Sequence, residues 1–145
     1  MMNKFLSVFA GLLLGAAAFA QQDRLAEIFS HLQTDRISLH VSCVLVTDTE
    51  IPLSGDVLIQ GGCYRVQGGG MEIYCDGSTR WIVDRSGKEV YVESAGDPQE
   101  LLAWRDSIYD IEVSELRYLP LSDDLSAFRF DTAALGSEWF VTDLR

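Results

Sequence analysis

Between residues 38 and 94, apolar side chains recur at every second position, and short turn sequences interrupt them at regular intervals. In "SLHVSCVLV", Leu39, Val41, Cys43 and Leu45 share one side of the chain, and the side chains between the first three are polar. This alternation is typical of half-buried antiparallel strands. Six such segments follow one another, and pairing in chain order is the simplest topology. The sequence therefore predicts an antiparallel meander of six strands.

Two turns determine how the central strands pair. Asp76-Gly77 stands between alternating apolar runs, and it favours a hairpin because both residues tolerate positive φ. The triple glycine at 68–70 predicts a second hairpin, in which "CYRV" pairs with "MEIYC" and Gln67 lies opposite Met71.

The register of the triple-glycine hairpin places Cys63 directly opposite Cys75. An oxidising compartment could therefore join these thiols in a cross-strand disulfide. The alternative is that these two residues and Cys43 are small, buried apolar side chains. Three cysteines are too few, and odd in number, for a disulfide scaffold, so the fold does not depend on this choice.

Helical spacing begins before the meander. Residues 22–34 place Leu25, Ile28, Phe29 and Leu32 on one side of a helix. This spacing predicts an amphipathic helix that lies on an apolar surface.

A second, shorter helix is predicted after the meander. Asp97 can act as its N-cap, Pro98 fits its first position, and Glu100 completes a capping box, with the helix ending near Ser107. Three extended runs then close the chain: "IYDIEVSELRYLP", "SAFRFDT" and "EWFVTDL". The whole predicts an α+β fold, in which a curved antiparallel sheet packs over an N-terminal amphipathic helix and a short second helix.

Residues 1–20 have the pattern of a cleaved Sec-type signal peptide. Lys4 precedes an apolar stretch that ends in the small-x-small triplet Ala18-Phe19-Ala20. A retained membrane anchor would need about 20 predominantly apolar residues, and this stretch is shorter and contains glycine. We therefore expect cleavage after Ala20 and export to the periplasm, with residues 21–145 forming a single domain.

The exported part is strongly acidic. Removal of the signal peptide takes away Lys4 and no acidic residue, which leaves ten Lys and Arg against 22 Asp and Glu, a net charge of −12. Such a chain repels phosphate backbones. We therefore expect no nucleic-acid partner, and anionic membrane surfaces are disfavoured for the same reason.

The sequence contains no catalytic or metal-binding spacing. His31 and His40 lack a metal-ligand spacing such as H-x-x-x-H and are interpreted as structural side chains at or near the surface. The glycines at 68–70 lack the Lys-Ser/Thr of a phosphate loop, and no G-x-S-x-G motif occurs. We therefore expect no enzymatic activity, no cofactor and no metal, and we place the function in a surface or a cavity.

The predicted meander has one apolar face that the first helix is too narrow to cover. A helix of about 13 residues spans roughly 20 Å, whereas six strands at about 4.8 Å spacing are wider than one helix. Either the sheet curls so that an ordinary core fills it, or an apolar crevice stays open. The residues predicted for this face are Leu39, Val41, Leu45, Val57, Ile59, Ile73, Trp81, Val83, Val90 and Val92.

Several sequence elements, in this order, resemble a known family. "SGDVLIQGGCYRVQ" is similar to its element of glycine, alternating hydrophobic residues and an aromatic-arginine pair, which is Tyr64-Arg65 in this chain. "MEIYCDGSTRWIVD" is similar to its Asp-Gly hairpin with a following aromatic, Trp81, and "KEVYVES" comes after it. With the signal peptide and first helix, residues 22–94 resemble the LolA-type periplasmic carriers of outer-membrane lipoproteins, especially their short Bacteroidetes-type relatives.

The resemblance implies a half-barrel sheet over helices, with an apolar cavity that shields lipoprotein acyl chains or another lipid. It also implies two partners, an inner-membrane release complex and an outer-membrane acceptor. Arg65 and Trp81 would line or rim the cavity mouth. The alternative is a periplasmic interaction or sensory protein that uses the same scaffold without transport. The residues expected to contact lipid are Leu25, Phe29, Val41, Leu45, Val57, Ile59, Arg65, Ile73, Trp81, Val83, Val90 and Val92.

Overall fold

In the residues that the structure describes, eight β-strands form one curved sheet and very little helix accompanies it. The computed structural model describes residues 26–28, 30–46, 48–96 and 108–145. Among these residues, no helix is long and apolar enough to cross a membrane. The strands are β1 (Asp35–Val46), β2 (Glu50–Gln60), β3 (Cys63–Gly68), β4 (Met71–Cys75), β5 (Thr79–Asp84), β6 (Glu89–Ser94), β7 (Ile108–Pro120) and β8 (Phe140–Asp143).

The first six strands form the predicted antiparallel meander, which is confirmed. β7 adds to the β1 edge in an antiparallel sense, and β8 adds to the β6 edge in a parallel sense. The strand order is therefore β7-β1-β2-β3-β4-β5-β6-β8. The first and last of the three extended runs predicted near the end of the chain contain β7 and β8.

The triple-glycine hairpin closes over two glycines, not three. Gly68 pairs with Met71, and Gly69 and Gly70 form the turn with φ values of 61° and 79°. Positive φ at both turn positions is the type I′ geometry that suits twisted strands. Gly68 stays in β3 and passes so close to β2 that a Cβ there would lie 2.2 Å from the Ser54 carbonyl oxygen. The predicted register is therefore wrong by one residue.

The shift separates the two cysteines that were expected to face each other. Tyr64, and not Cys63, lies opposite Cys75. Neighbouring residues of a strand point to opposite faces of the sheet, so Cys63 and Cys75 lie on different faces. The predicted direct pairing is wrong, and all three cysteines are free, with Cys43 and Cys75 buried.

The register gives the sheet two apolar faces instead of one. From β2 to β6 each hairpin pairs an odd-numbered residue with an even-numbered one, as in Ile73 with Ile82 and Val83 with Val90. The aliphatic face carries Ile37, Leu39, Val41, Cys43, Leu45, Val57, Ile59, Val66, Ile73, Ile82, Ile111 and Val113. The opposite face, called the strap face, carries Tyr74, Val83, Val90 and Val92.

Two β-bulges keep the apolar side chains of β7 on the aliphatic face. The register against β1 shifts at two places, and at each place β7 contains one residue more than β1. Positive φ values of 52° and 53° occur there, at Asp110 and Glu115. Because a bulge offsets the alternation by one residue, Ile111, Val113 and Leu116 all pack with the aliphatic face.

Most residues of the two predicted helices lie outside the described residues. In the first predicted helix, residues 26–28 and 30 are helical, and 31–34 form turns that lead into β1. Ile28 is buried with the aliphatic face. The second predicted helix, up to Ser107, lies outside the described residues.

Residues 121–139 connect β7 at one edge of the sheet to β8 at the other, and we call this segment the C-terminal strap. An extended run was predicted within it at "SAFRFDT", and this is wrong. The strap forms 3₁₀ turns at Ser126–Phe128 and Thr132–Ala134. The carboxylates of Asp124 and Asp131 accept hydrogen bonds from backbone N–H groups two residues further on. Such local bonds favour turns over strands.

The strap covers the strap face with large apolar side chains. Phe128 is fully buried. The strap residues that pack against the apolar cluster of this face are Phe130, Leu135 and Trp139. The Gln60 side chain fixes the start of the strap, because its amide donates to the Ser122 carbonyl at 2.8 Å and accepts from the Ser122 N–H at 3.1 Å.

Gly68→Ala tests the close approach of β2 and β3. We expect it to lower the free energy of unfolding by about 2 kcal/mol or more, because the added Cβ meets backbone atoms of β2 that cannot rotate away. Gly62→Ala is the matched control, since nothing lies within 4 Å of its Cβ position. That substitution should be neutral or stabilise by about 0.4–1 kcal/mol. Urea unfolding followed by circular dichroism measures both, and equal effects would contradict the close approach.

Candidate functional site

Five of the residues predicted to contact lipid lie together on the aliphatic face. Val41 and Leu45 belong to β1, Val57 and Ile59 to β2, and Ile73 to β4. All five are buried and belong to one apolar cluster. This part of the predicted site is one surface in the structure.

Four other predicted residues do not belong to that surface. Trp81, Val83, Val90 and Val92 lie on the strap face, under the strap. The reason is the turn after β4, which pairs Ile73 with Ile82 and so turns the neighbours of Ile82 to the opposite side. The prediction of a single apolar face from Leu39 to Val92 is therefore wrong.

The three remaining predicted residues do not add to the aliphatic face. Arg65 is half-buried and lies on the strap face, opposite Leu58 in β2 and Tyr74 in β4. Leu25 and the side chain of Phe29 lie outside the described residues.

Other residues that complete the aliphatic face were not predicted as lipid contacts. Val66 and Ile82 extend it through β3 and β5, and Ile111 and Val113 extend it to β7. The sequence did contain a signal for Val66 and Ile82. Both residues fall on the aliphatic face when the glycine-containing turns between β2 and β5 are each given two residues. Leu32 packs against the cluster from outside the sheet.

One end of the aliphatic face carries a polar row. Tyr64, Cys75, Arg80 and Glu93 lie side by side on β3 to β6. The Arg80 guanidinium lies 2.6 Å from the Glu93 carboxylate and also donates to the Tyr64 hydroxyl. Burial alone would lower the pKa of Arg80, but Tyr64 and Glu93 outweigh it and raise that pKa. Burial also raises the pKa of Tyr64 to about 12, so the row presents a charge pair and a protonated phenol.

The cysteines are not activated for chemistry. Burial raises the pKa of Cys43 to about 11, and it also raises the pKa of Cys63 and Cys75. A thiol acts as a nucleophile or metal ligand through its thiolate, which a raised pKa disfavours. Near neutral pH, the three side chains therefore act as packing groups.

The strap face contains a buried carboxylate network beside the apolar cluster. Glu72 accepts hydrogen bonds from the Tyr74 hydroxyl at 2.5 Å and from the Arg85 guanidinium. Burial alone would raise the pKa of Glu72, but Arg85, Tyr74 and Gln67 together outweigh it and lower that pKa. Phe130 of the strap lies over this network, 5.4 Å from the Tyr74 ring. The network therefore fixes the Tyr74 ring, which Phe130 of the strap packs against.

No protein-family model matches the chain, and no curated protein matches it significantly. The resemblance to LolA-type carriers therefore rests on the sequence elements themselves.

Glu72→Gln tests the network under the strap. A carboxylate with a lowered pKa stabilises the fold above its unfolded pKa of about 4.3, and this contribution disappears as pH falls through the folded pKa. We expect the substitution to cost about 1–2 kcal/mol of unfolding free energy at pH 7 and progressively less as the pH falls below about 4. Urea unfolding at several pH values measures this difference.

Glu138→Gln is the control for the Glu72 experiment. The Glu138 carboxylate is exposed and lies 4.0 Å from the Lys88 amine. Exposed pairs contribute little, so its loss should cost less than about 0.5 kcal/mol. A Glu72→Gln cost that does not change with pH would show that the carboxylate charge is not the stabilising feature.

Proposed function

We propose that the protein is a periplasmic carrier that binds lipoprotein acyl chains on its aliphatic face and delivers them to the outer membrane. The extent of that face is the observation that supports the proposal best. Aliphatic side chains continue across β7, β1, β2, β3, β4 and β5, six neighbouring strands of a curved sheet. At about 4.8 Å per strand, this surface is roughly 24 Å wide.

The size of the surface fits an acyl ligand energetically. Each buried methylene contributes about 0.8 kcal/mol, so ten methylenes contribute about 8 kcal/mol. Before the entropic cost of association is subtracted, this free energy corresponds to a dissociation constant of about 1 μM. Aliphatic contacts need no directional chemistry, so an aliphatic lining is sufficient for such a ligand.

The other apolar face is less suited to a ligand because the strap already occupies it. Phe130, Leu135 and Trp139 of the strap pack against the apolar cluster of that face. In our proposal the sheet is a half-barrel over the helices, with the ligand on the aliphatic face. Trp81, which the family resemblance places at the cavity mouth, then supports the strap.

The polar row gives the proposed ligand a direction. Arg80 and Tyr64 carry hydrogen-bond donors at the border of the aliphatic face. An acyl chain is apolar except at its ester or amide end. We place that polar end beside Arg80 and the chain over Val57 and Ile73.

The proposed location rests on the signal-peptide pattern, and the proposed partners rest on the family resemblance. The signal-peptide pattern of residues 1–20 supports export. The family resemblance supports an inner-membrane release complex as donor and an outer-membrane acceptor as destination. Release would then require that the acceptor compete with the aliphatic face for the acyl chains.

Val57→Phe tests the proposed site. The larger side chain takes space on the aliphatic face, and a ligand that loses contact with about two methylenes loses about 1.6 kcal/mol. We therefore expect a fluorescent fatty acid to bind more weakly by about tenfold. Fluorescence titration measures the affinity, and native mass spectrometry of protein purified from a periplasm identifies bound lipid.

Val83→Phe is the matched control, because Val83 is an equally buried valine on the strap face. Both substitutions overpack the core, so circular dichroism and thermal unfolding first establish that both variants fold. We expect lipid affinity to change only in Val57→Phe. An unliganded wild-type mass with no fatty-acid uptake, or equal affinity losses in both variants, would refute the proposed site.

A second candidate function, protein interaction without transport, is favoured by the edge strand β8. Phe140 is 72% exposed, and Val141 and Leu144 are also exposed. An exposed apolar edge strand can pair with an extended segment of a partner. A photo-crosslinker at Phe140 that captures one periplasmic protein, together with a lipid-free native mass, would favour this function over the carrier.

A further inference from the structure

Three side chains from three neighbouring strands converge on a part of the strap face that is open to solvent. His40 lies in β1, Asp56 lies directly opposite it in β2, and Glu115 lies in a bulge of β7. One donor atom from each lies within 4.8 Å of the other two, and His40 Nδ1 lies 2.9 Å from Asp56 Oδ1. In the described ranges, no other three metal-ligating side chains come this close together.

The donors of this cluster suit a particular class of cation. One imidazole and two carboxylates form a ligand set for Zn²⁺ and similar divalent transition ions, whereas Ca²⁺ and Mg²⁺ prefer oxygen ligands alone. With a neutral His40, the two carboxylates carry two negative charges, which a divalent cation neutralises. Asp56 and Glu115 are exposed, so their side chains can rotate to bring the donors around one ion.

The backbone places a glutamate where a glycine would fit more easily. Glu115 has a φ of 53°, in the left-handed region that favours glycine, and glycine is common in bulges of this type. The bulge brings the Glu115 carboxylate next to the His40–Asp56 pair.

We propose that His40, Asp56 and Glu115 form a binding site for a Zn²⁺-like divalent cation, with water in the remaining coordination position. The bound ion joins β7, β1 and β2 at the β7 edge of the sheet. The site lies on the face opposite the aliphatic face, so it does not depend on lipid binding.

Titration of Zn²⁺ into the purified protein by isothermal calorimetry tests the site. We expect one ion per chain, and we expect His40→Gln and Glu115→Gln each to weaken binding at least about tenfold. His31→Gln is the matched control. His31 also pairs with an aspartate, Asp35, at 2.5 Å, but no third ligand joins this pair within the described part of the chain. Its loss should leave Zn²⁺ affinity unchanged.

Three outcomes of the titration would overturn the proposal. The first is no Zn²⁺ binding at micromolar concentrations. The second is wild-type affinity in both His40→Gln and Glu115→Gln. The third is binding that persists in those variants and disappears in Cys63→Ser, which would place the ion at a thiol.

Glu115→Gly provides a second readout that does not depend on affinity measurements. Glycine relieves the left-handed backbone at this position, so the metal-free variant should unfold at a higher temperature than the wild type. Zn²⁺ should raise the unfolding temperature of the wild type but not that of the variant, because the variant lacks one ligand. An equal Zn²⁺-dependent rise in both proteins would overturn the site.

Discussion

The approach of β3 to β2 at Gly68 is the constraint on which the arrangement of the sheet depends. A side chain at this position would collide with the Ser54 carbonyl, so only glycine allows the strand to continue to residue 68 and to leave two glycines for the turn. A two-residue turn fixes the register, and the register decides which residues share a face. From Ile73 onward, the side chains of β4, β5 and β6 are assigned to faces by this one turn and by those that follow it.

Each of the two apolar faces of the sheet must be shielded from water, and different segments of the chain pack against each face. The strap face is covered by the strap, which packs Phe130, Leu135 and Trp139 against it. The aliphatic face is wider, and its described contacts outside the sheet come from Ile28 and Leu32. This difference supports separate roles. One face carries a buried carboxylate network beneath the strap, while the other carries the aliphatic surface on which we propose that an acyl ligand binds.

The sequence predicted the strands well because alternation and turn residues are local signals. All six strands of the meander and the run that became β7 were predicted. The division of faces was missed because it depends on the turn after β4, which pairs Ile73 with Ile82 and so places Trp81 and Val83 on the opposite face. The strap was missed because Phe128 and Phe130 flank Arg129 in the alternation of a strand, whereas Asp124 and Asp131 cap turns on either side of them. The cluster at His40 has no spacing to recognise, since its ligands come from strands that are distant in sequence.

The strap also determines when the fold can be completed. Its polar contacts connect residues 88 positions apart at Arg36 and Asp124, and 62 positions apart at Gln60 and Ser122. Contacts of such long sequence separation form slowly, because a large loop must close first. The strap is also synthesised after the strands that it covers. Until it docks, Val83, Val90 and Val92 form an uncovered apolar surface on a nascent sheet, so aggregation competes with folding most strongly at this stage.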